Sequence, residues 1–517
     1  MRIEVDAPPH GTVRDWIDHR AETTPDGISH LFADGAAPLT WAALREEARG
    51  IAGLLYGLGA RKGESVALML PNGRPGVLCL FGALYGGFRA TLINLVAGAD
   101  AIGYALEHSG ACFTFVGVDQ QDLLATALAG RTLTLRPIQV DDRGIAWPER
   151  ARPGVLQPCG PRDDALLMYT SGTTGRPKGV IHSHASLLAG GWTTAIAHEL
   201  EESDRALCVL PFYHINGLCV TIMGPLVTGG SVVVCERFSA RRFWRLAGEH
   251  RVTWFSVVPT IISHLLHGAH DPDQATRNAI RFGRSASSAL SPDVHAAFEA
   301  RFDVSIVETM GLTETAAQIL SNPLPSGQRK VGSPGRAYGN EVAILTSEGI
   351  PAETGTEGEI AVRGPNVMKE YFRNPDATAA TITADGWLRT GDLGRMDADG
   401  YVFVTGRLKE LIIKGGENIA PREVDEALYS HPDIVEAAAF ARPCVSMGER
   451  VEAAVKLRNG SGVSAEDLIR ICQDRLGTFK SPEMIHFMED LPKGPSGKIQ
   501  RMKLAELTAL PEPAIQA

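Results

Sequence analysis

Between Val66 and Val116 short apolar runs alternate with helical stretches, and this alternation limits the fold more than any other property of the chain. Val66-Ala67-Leu68-Met69-Leu70, Ala90-Thr91-Leu92-Ile93-Asn94 and Phe113-Thr114-Phe115-Val116 have the length and composition of buried strands. The stretches Val77 to Phe88 and Ala101 to His108 separate them as helices. A β-α-β-α-β order joins strands running in the same direction, so it predicts a mostly parallel sheet covered by helices. The pattern resumes at Leu207-Cys208-Val209-Leu210, a helical stretch near Cys219 to Val227, and Ser231-Val232-Val233-Val234. Upstream, Thr12 to Ala21 and Thr40 to Leu55 predict amphipathic helices. Thr40 is placed to cap the second, in which Leu44, Ala48, Ile51 and Leu55 recur at helical spacing. The glycine-rich run Gly57 to Gly63 follows a helix, not a strand, and so predicts a helix C-cap and turn.

At 517 residues the chain exceeds one hydrophobic core. Its character changes after Asp392: Tyr401 to Thr405 predicts a strand, Gly406 to Glu410 a charged connector, and Pro421-Arg422-Glu423-Val424-Asp425 a helix with proline in its first turn. The expected division is a large α/β domain over residues 1–408 and a small α+β domain over 409–517. A formal charge of -10 argues against a broad nucleic-acid footprint and against a polybasic membrane surface. The most apolar run, Val77 to Phe88, is shorter than the roughly 20 residues of a spanning helix, so no membrane span is expected. The eight cysteines form no Cys-x-x-Cys pair and predict reduced thiols in a cytoplasmic protein without a structural zinc site. Met1 to Asp6 lacks the basic and apolar segments of a signal peptide.

Ala165-Leu166-Leu167-Met168 predicts a buried strand that delivers Tyr169-Thr170-Ser171-Gly172-Thr173-Thr174-Gly175-Arg176-Pro177-Lys178-Gly179. Small residues here let the backbone approach an anion, four hydroxyls donate hydrogen bonds, and Lys178 adds charge, which is the chemistry of a phosphate cradle. The spacing is not that of a Walker A loop. Taken alone, such a stretch is also what a solvated turn selects. The segment Arg284 to Leu290 carries three serine hydroxyls, which suit either a polar ligand or the cap of a helix starting at Ser291-Pro292-Asp293. His182-Ser183-His184 lacks cysteine or carboxylate partners for a metal, and neither Gly-x-Ser-x-Gly nor His-Glu-x-x-His occurs.

The order Tyr-Thr-Ser-Gly-Thr-Thr-Gly-x-Pro-Lys-Gly resembles the nucleotide-binding loop of the adenylate-forming superfamily, which includes acyl-CoA synthetases, aryl-CoA ligases, luciferases and peptide-synthetase adenylation domains. Further motifs extend the resemblance from about Thr40 to Arg501. It implies a large N-terminal and a small mobile C-terminal domain with the active site between them. Thr170, Ser171, Gly172, Thr173, Thr174 and Lys178 would hold the ATP phosphates. In Met310-Gly311-Leu312-Thr313-Glu314, Thr313 would contact the α-phosphate and Glu314 would hold Mg²⁺, with Met310 replacing the family's adenine-stacking tyrosine. Asp392 would accept the ribose hydroxyls, Arg407 would reach ribose or phosphate, and Ser287 and Ala289 would line the adenine and acyl sites. Tyr213, His214, Ser285 and Gly311 would line the acyl pocket, with His214 gating it or serving structure. Lys409 would be the hinge, Lys498 would steady the charge at the α-phosphate, and Gly415-Gly416 would border the coenzyme A tunnel.

The resemblance implies that a carboxylic acid is activated as an acyl-adenylate, releasing pyrophosphate, and passed to the thiol of coenzyme A. Loading of a pantetheinyl carrier protein is the alternative acceptor, and a non-catalytic nucleotide-binding relative is the alternative class. No aspartate lies between Pro211 and Gly217 to pair with an α-amino group, which favours a plain carboxylic acid. The run Ser287-Ser288-Ala289-Leu290 is similar to that of oxalate-CoA ligases. The sequence leaves the acid unspecified and a homodimer open.

Overall fold

The computed structural model describes residue 4 and residues 6–141, 143–170, 176–325, 327–494 and 499–508. Two large sheets carry the first part of the chain. One has nine strands, and its central strands Ile28–Phe32, Ser231–Val234, Arg205–Cys208, Trp254–Val257, Phe282–Ser285 and Ile306–Leu312 are parallel. The other has eight, with Asp164–Thr170, Arg89–Leu92, Ser65–Met69, Phe113–Gly117 and Arg136–Asp141 parallel at its centre. The alternating runs thus form the parallel sheets their order requires.

Helix Trp41–Gly57 is capped by Thr40, whose hydroxyl accepts from the Ala43 amide, and it buries Leu44, Ala48, Ile51 and Leu55. It packs on helix Arg74–Gly86, buried almost throughout. Close approach there depends on Gly82, where a Cβ would meet the Ile51 side chain at 2.4 Å. The apolar stretch from Val77 is therefore a core helix, and no helix among the described residues is long and apolar enough to cross a membrane.

Two elements depart from the expectation. The helical stretch near Cys219 begins as a wider π-helical segment, Asn216–Met223, before the short α-helix Gly224–Thr228. A π turn re-aims its first side chains, and it lies beside the functional cavity. In addition, Glu341–Leu345, Gly358–Arg363, Leu388–Met396 and Val402–Arg407 form a separate four-stranded antiparallel sheet.

The small domain has its own core. Strands Glu417–Ile419, Ile412–Lys414, Gly448–Leu457, Ile434–Cys444 and Met484–Phe487 form its sheet, against which helices Pro421–Tyr429 and Ala465–Lys480 pack Val424, Leu428, Leu468 and Cys472. Pro421 occupies the first turn of its helix, where a missing amide hydrogen costs nothing. Lys409 lies in the turn between Val402–Arg407 and Ile412–Lys414, where the chain passes from the antiparallel sheet to the small-domain sheet. The domains touch through Ser263, whose hydroxyl donates to the Val435 carbonyl at 2.6 Å, and Arg422, which donates to the Val404 carbonyl at 2.6 Å.

Candidate active site

Strands Phe282–Ser285 and Ile306–Leu312 end side by side, and beyond their carboxyl ends opens a cavity of about 780 Å³. Open α/β sheets bind ligands at this edge. Tyr169, Thr170 and Lys178 reach the same place from the ends of the antiparallel strands Asp164–Thr170 and Lys178–Ser183. The small domain closes the far side with Pro421, Arg422, Ile499 and Arg501.

One wall is built around Glu314. Strand Ile306–Leu312 runs into a short 3-10 turn, Thr313–Thr315, which presents Thr313 and Glu314 to the cavity. The Tyr371 hydroxyl donates to Glu314 Oε1 at 2.8 Å. Burial, and then the adjacent carboxylate, push the Tyr371 phenol well above its ordinary range, so it remains a donor. His182 fixes the turn from below, its Nε2 meeting the Thr313 carbonyl at 2.7 Å and its Nδ1 the Ser186 hydroxyl at 3.1 Å. Burial lowers that imidazole to about 4, so it is neutral, with Nε2–H the donor. Lys178 Nζ lies 4.5 Å from the centre of the Tyr371 ring, which places a cation on the same wall.

A second wall comes from the antiparallel sheet. Asp392 and Arg407 face each other in register, with Nε and Oδ1 3.4 Å apart. Gly391 precedes them in the left-handed region at φ 76°, and its amide donates to Glu359 Oε1 at 2.9 Å. Glu359 also binds Arg389, so this buried carboxylate holds the turn that aims Asp392.

The third wall has the small polar groups. Tyr213, His214, Asn216, Ser285, Ser287, Ala289, Met310 and Gly311 line it. A Cβ on Gly311 would meet the Ala317 carbonyl oxygen at 1.6 Å, so only glycine lets the paired strand Ala317–Ser321 approach so closely there. Ser291 begins helix Pro292–Phe302, but its hydroxyl makes no capping bond. The serines before it open to the cavity instead.

A family model described as AMP-binding enzyme matches residues 17–372, and one described as AMP-binding enzyme C-terminal domain matches residues 423–498. The chain belongs to the AMP-binding enzyme family. It is 45% identical to a sulfoacetate–CoA ligase of Cupriavidus necator, over 95% of this chain and 97% of that protein. It is 34% identical to an oxalate–CoA ligase of Arabidopsis thaliana, over 96% of this chain and 98% of that one. The crystal structure of o-succinylbenzoate CoA synthetase from Bacillus subtilis, in complex with its acyl-adenylate, superposes with a TM-score of 0.83 at 30% identity, covering 95% and 97% of the two chains.

Within this AMP-binding enzyme, the cavity collects Thr170, Lys178, Tyr213, His214, Ser285, Ser287, Ala289, Met310, Gly311, Thr313, Glu314, Asp392, Arg407 and Lys409. Gly415 and Gly416 are exposed and lie outside it. Ser171, Gly172, Thr173, Thr174 and Lys498 lie outside the described residues. Sequence reasoning passed over Tyr371 and Glu359, neither of which stands in a recognisable motif, and weighed His182 only as a metal ligand without partners. It also passed over Glu308, which lines the cavity, accepts from the Gly332 amide at 3.1 Å, and is pushed up to about 7 by burial.

Proposed function

We infer that this chain is an ATP-dependent acyl-CoA synthetase, an AMP-forming acid–thiol ligase whose substrate is a small carboxylic acid carrying a second acidic group. The observation that carries the reading is the cavity itself. Hydroxyls and Lys178, the Glu314 carboxylate and the Asp392–Arg407 pair line one enclosed space between two domains. In the first step a carboxylate oxygen of the acid attacks the α-phosphorus of ATP, and pyrophosphate leaves. In the second the thiol of coenzyme A attacks the acyl carbonyl, loses its proton, and AMP leaves. The named relatives are CoA ligases, which supports coenzyme A over a carrier protein as the acceptor.

Asp392 and Arg407 hold the ribose, Thr170 and Lys178 the phosphates, and Met310 covers one face of adenine with its polarizable thioether. Ser287 and Ala289 line the junction of the adenine and acyl sites. Tyr213, His214, Ser285 and Gly311 form the acyl end. The Glu314 carboxylate and Thr313 hydroxyl are hard oxygen donors that fit Mg²⁺, and Tyr371 holds the carboxylate in place. Bound there, Mg²⁺ would neutralise phosphate charge. Ile499 and Arg501 line the cavity while Gly415 and Gly416 lie outside it, an arrangement that suits the adenylating step. Rotation about Lys409 then exchanges these faces, because the two steps need different charge around one carbon.

Sulfoacetate, oxalate and o-succinylbenzoate, the acids of the named relatives, each carry an acidic group besides the carboxylate that is activated. The test is ATP–pyrophosphate exchange across a panel of acids, followed by a search for the coenzyme A thioester. Exchange and thioester formation with acids of this class are expected. Exchange with none of the panel overturns the activity, and exchange confined to singly charged acids overturns the substrate class.

A further inference from the structure

Behind the acyl end of the cavity lies a positive charge that no described carboxylate pairs. Arg284, at the end of strand Phe282–Ser285, is 1% exposed. Its Nη1 donates to Asn216 Oδ1 at 2.8 Å and to Ser256 Oγ at 3.0 Å, and its Nε to Gln318 Oε1 at 3.4 Å. All three acceptors are neutral. No carboxylate among the described residues lies within ion-pair distance of it. Of the other enclosed arginines, Arg501 is met by Asp425 and Glu410 and Arg89 by Asp164, whereas Arg20 is held by the Leu226 and Val227 carbonyls and sits away from the cavity.

Burying a charge without a counter-ion is strongly unfavourable, and folded proteins ordinarily pair such groups. Burial pulls the Arg284 guanidinium down to about 9, which still leaves it a cation at neutral pH. The neighbouring titratable groups do not compensate it. Burial raises the Cys219 thiol, and burial followed by the Arg284 and Arg281 charges keeps His198 neutral.

Asn216 stands between this charge and the cavity, at the start of the π-helical segment. Arg284 and the Ser256 hydroxyl, which donates at 2.9 Å, both hold its oxygen, and this fixes the amide orientation. The Nδ2 group is thereby turned toward Ser287, 3.4 Å from that hydroxyl, on the cavity wall. Donor hydrogens face the ligand side with a cation behind them, the arrangement that receives an anion.

We propose that Arg284, acting through Asn216, is the positioning residue that selects acids with a second anionic group, a carboxylate or sulfonate, and receives that group at the Asn216–Ser287 wall. The proposal rests on the acyl-CoA synthetase reading and names the feature of the cavity that sets its substrate class.

The experiment compares charged acids with neutral isosteres: sulfoacetate with methylsulfonylacetate, and oxalate with oxamate. Both kcat and KM are measured by ATP–pyrophosphate exchange for the natural chain and for Arg284→Met, Arg284→Lys and Asn216→Asp. In the natural chain the charged member of a pair is the better substrate. Arg284→Met is expected to raise KM for it by about 100-fold, the scale of a lost buried charge contact, with a much smaller change for the isostere. Arg284→Lys restores part of the preference. Asn216→Asp keeps the shape but supplies the missing counter-charge, so it abolishes the preference while its melting temperature stays at or above that of the natural chain. That variant carries the test if Arg284→Met fails to fold. Equal losses on both members of a pair, or a preference that survives in folded Arg284→Met or in Asn216→Asp, overturn the proposal. A natural chain that exchanges only with neutral isosteres overturns the substrate class and this proposal together, and one that exchanges with no acid overturns the activity.

Discussion

Glu314 and Tyr371 make the residue scale testable. Glu314→Gln removes the charge but keeps the shape, and the expected result is a fall in exchange rate of about 10²–10³-fold. Tyr371→Phe deletes only the hydroxyl that orients the carboxylate, so about tenfold is expected, together with a higher Mg²⁺ requirement. Exchange rates over a Mg²⁺ titration check both, and equal effects would contradict the division of roles. Arg284 yields a pH test. A cation pulled down to about 9 binds an anion below that pH and loses its charge above it. In rate profiles, kcat/KM for a doubly charged acid is expected to fall as pH rises through about 9, while that of its neutral isostere stays level across the same step. Thr313, Glu314 and Asp392 were legible in the sequence because each sits in a short contiguous motif. Tyr371 and His182 were not, because their partners lie 57 and 131 positions away and only the fold brings them together.

At the scale of elements, the segment after strand Phe282–Ser285 shows where local rules stop. Its serines suited a helix cap as well as a ligand wall. The chain starts its helix at Pro292 without a side-chain cap and turns the serines to the cavity. Ser287 holds φ 75°, a left-handed conformation unusual for any residue but glycine. Ser287→Gly is expected to relieve roughly 1 kcal/mol of backbone strain while losing the hydroxyl beside Asn216, so chemical denaturation should show equal or greater stability. A β-branched side chain suits that conformation less, and Ser287→Val should cost about 1–2 kcal/mol. A valine variant as stable as the natural chain would refute the strain. The β-α alternation and the Thr40 cap were readable because they depend on neighbours within a few positions. The π-helical start at Asn216 and the antiparallel sheet from Glu341 depend on distant packing, and no local pattern announced them.

At the scale of the whole molecule, residues of both domains line one cavity. Lys498→Ala is expected to slow adenylation by about 10²-fold or more while sparing thioester formation from a supplied adenylate. Equal loss in both half-reactions, with folding intact, would remove Lys498 from the first step. The docked orientation also depends on Glu436, a buried small-domain carboxylate that meets His264 of the large domain at 3.0 Å and Lys493 at 2.7 Å. Burial pushes its carboxyl up, but the His264 and Lys493 hydrogen bonds outweigh burial and leave it below the ordinary glutamate value. A depressed carboxyl contributes stability above its unfolded value of about 4.3 and loses it as pH falls through the lower folded value. The Glu436 contribution to docking should therefore be lost in acid, which limited proteolysis of the connector around Lys409 would detect. Glu436→Gln should loosen it already at neutral pH, and an unchanged cleavage rate would rule the contact out.

By itself the sequence determined the class of fold, the family and the order of the motifs whose described residues line the cavity. Those properties are written in periodicity and in runs of adjacent residues, which survive without any tertiary context. Only the tertiary structure decided what stands behind the motifs: Tyr371 on Glu314, Glu359 under Gly391, and Arg284 enclosed with neutral partners behind Asn216. An arginine in a sequence carries no sign of whether a carboxylate will meet it. Packing alone brings or withholds that partner, and here it leaves a charge beside the cavity.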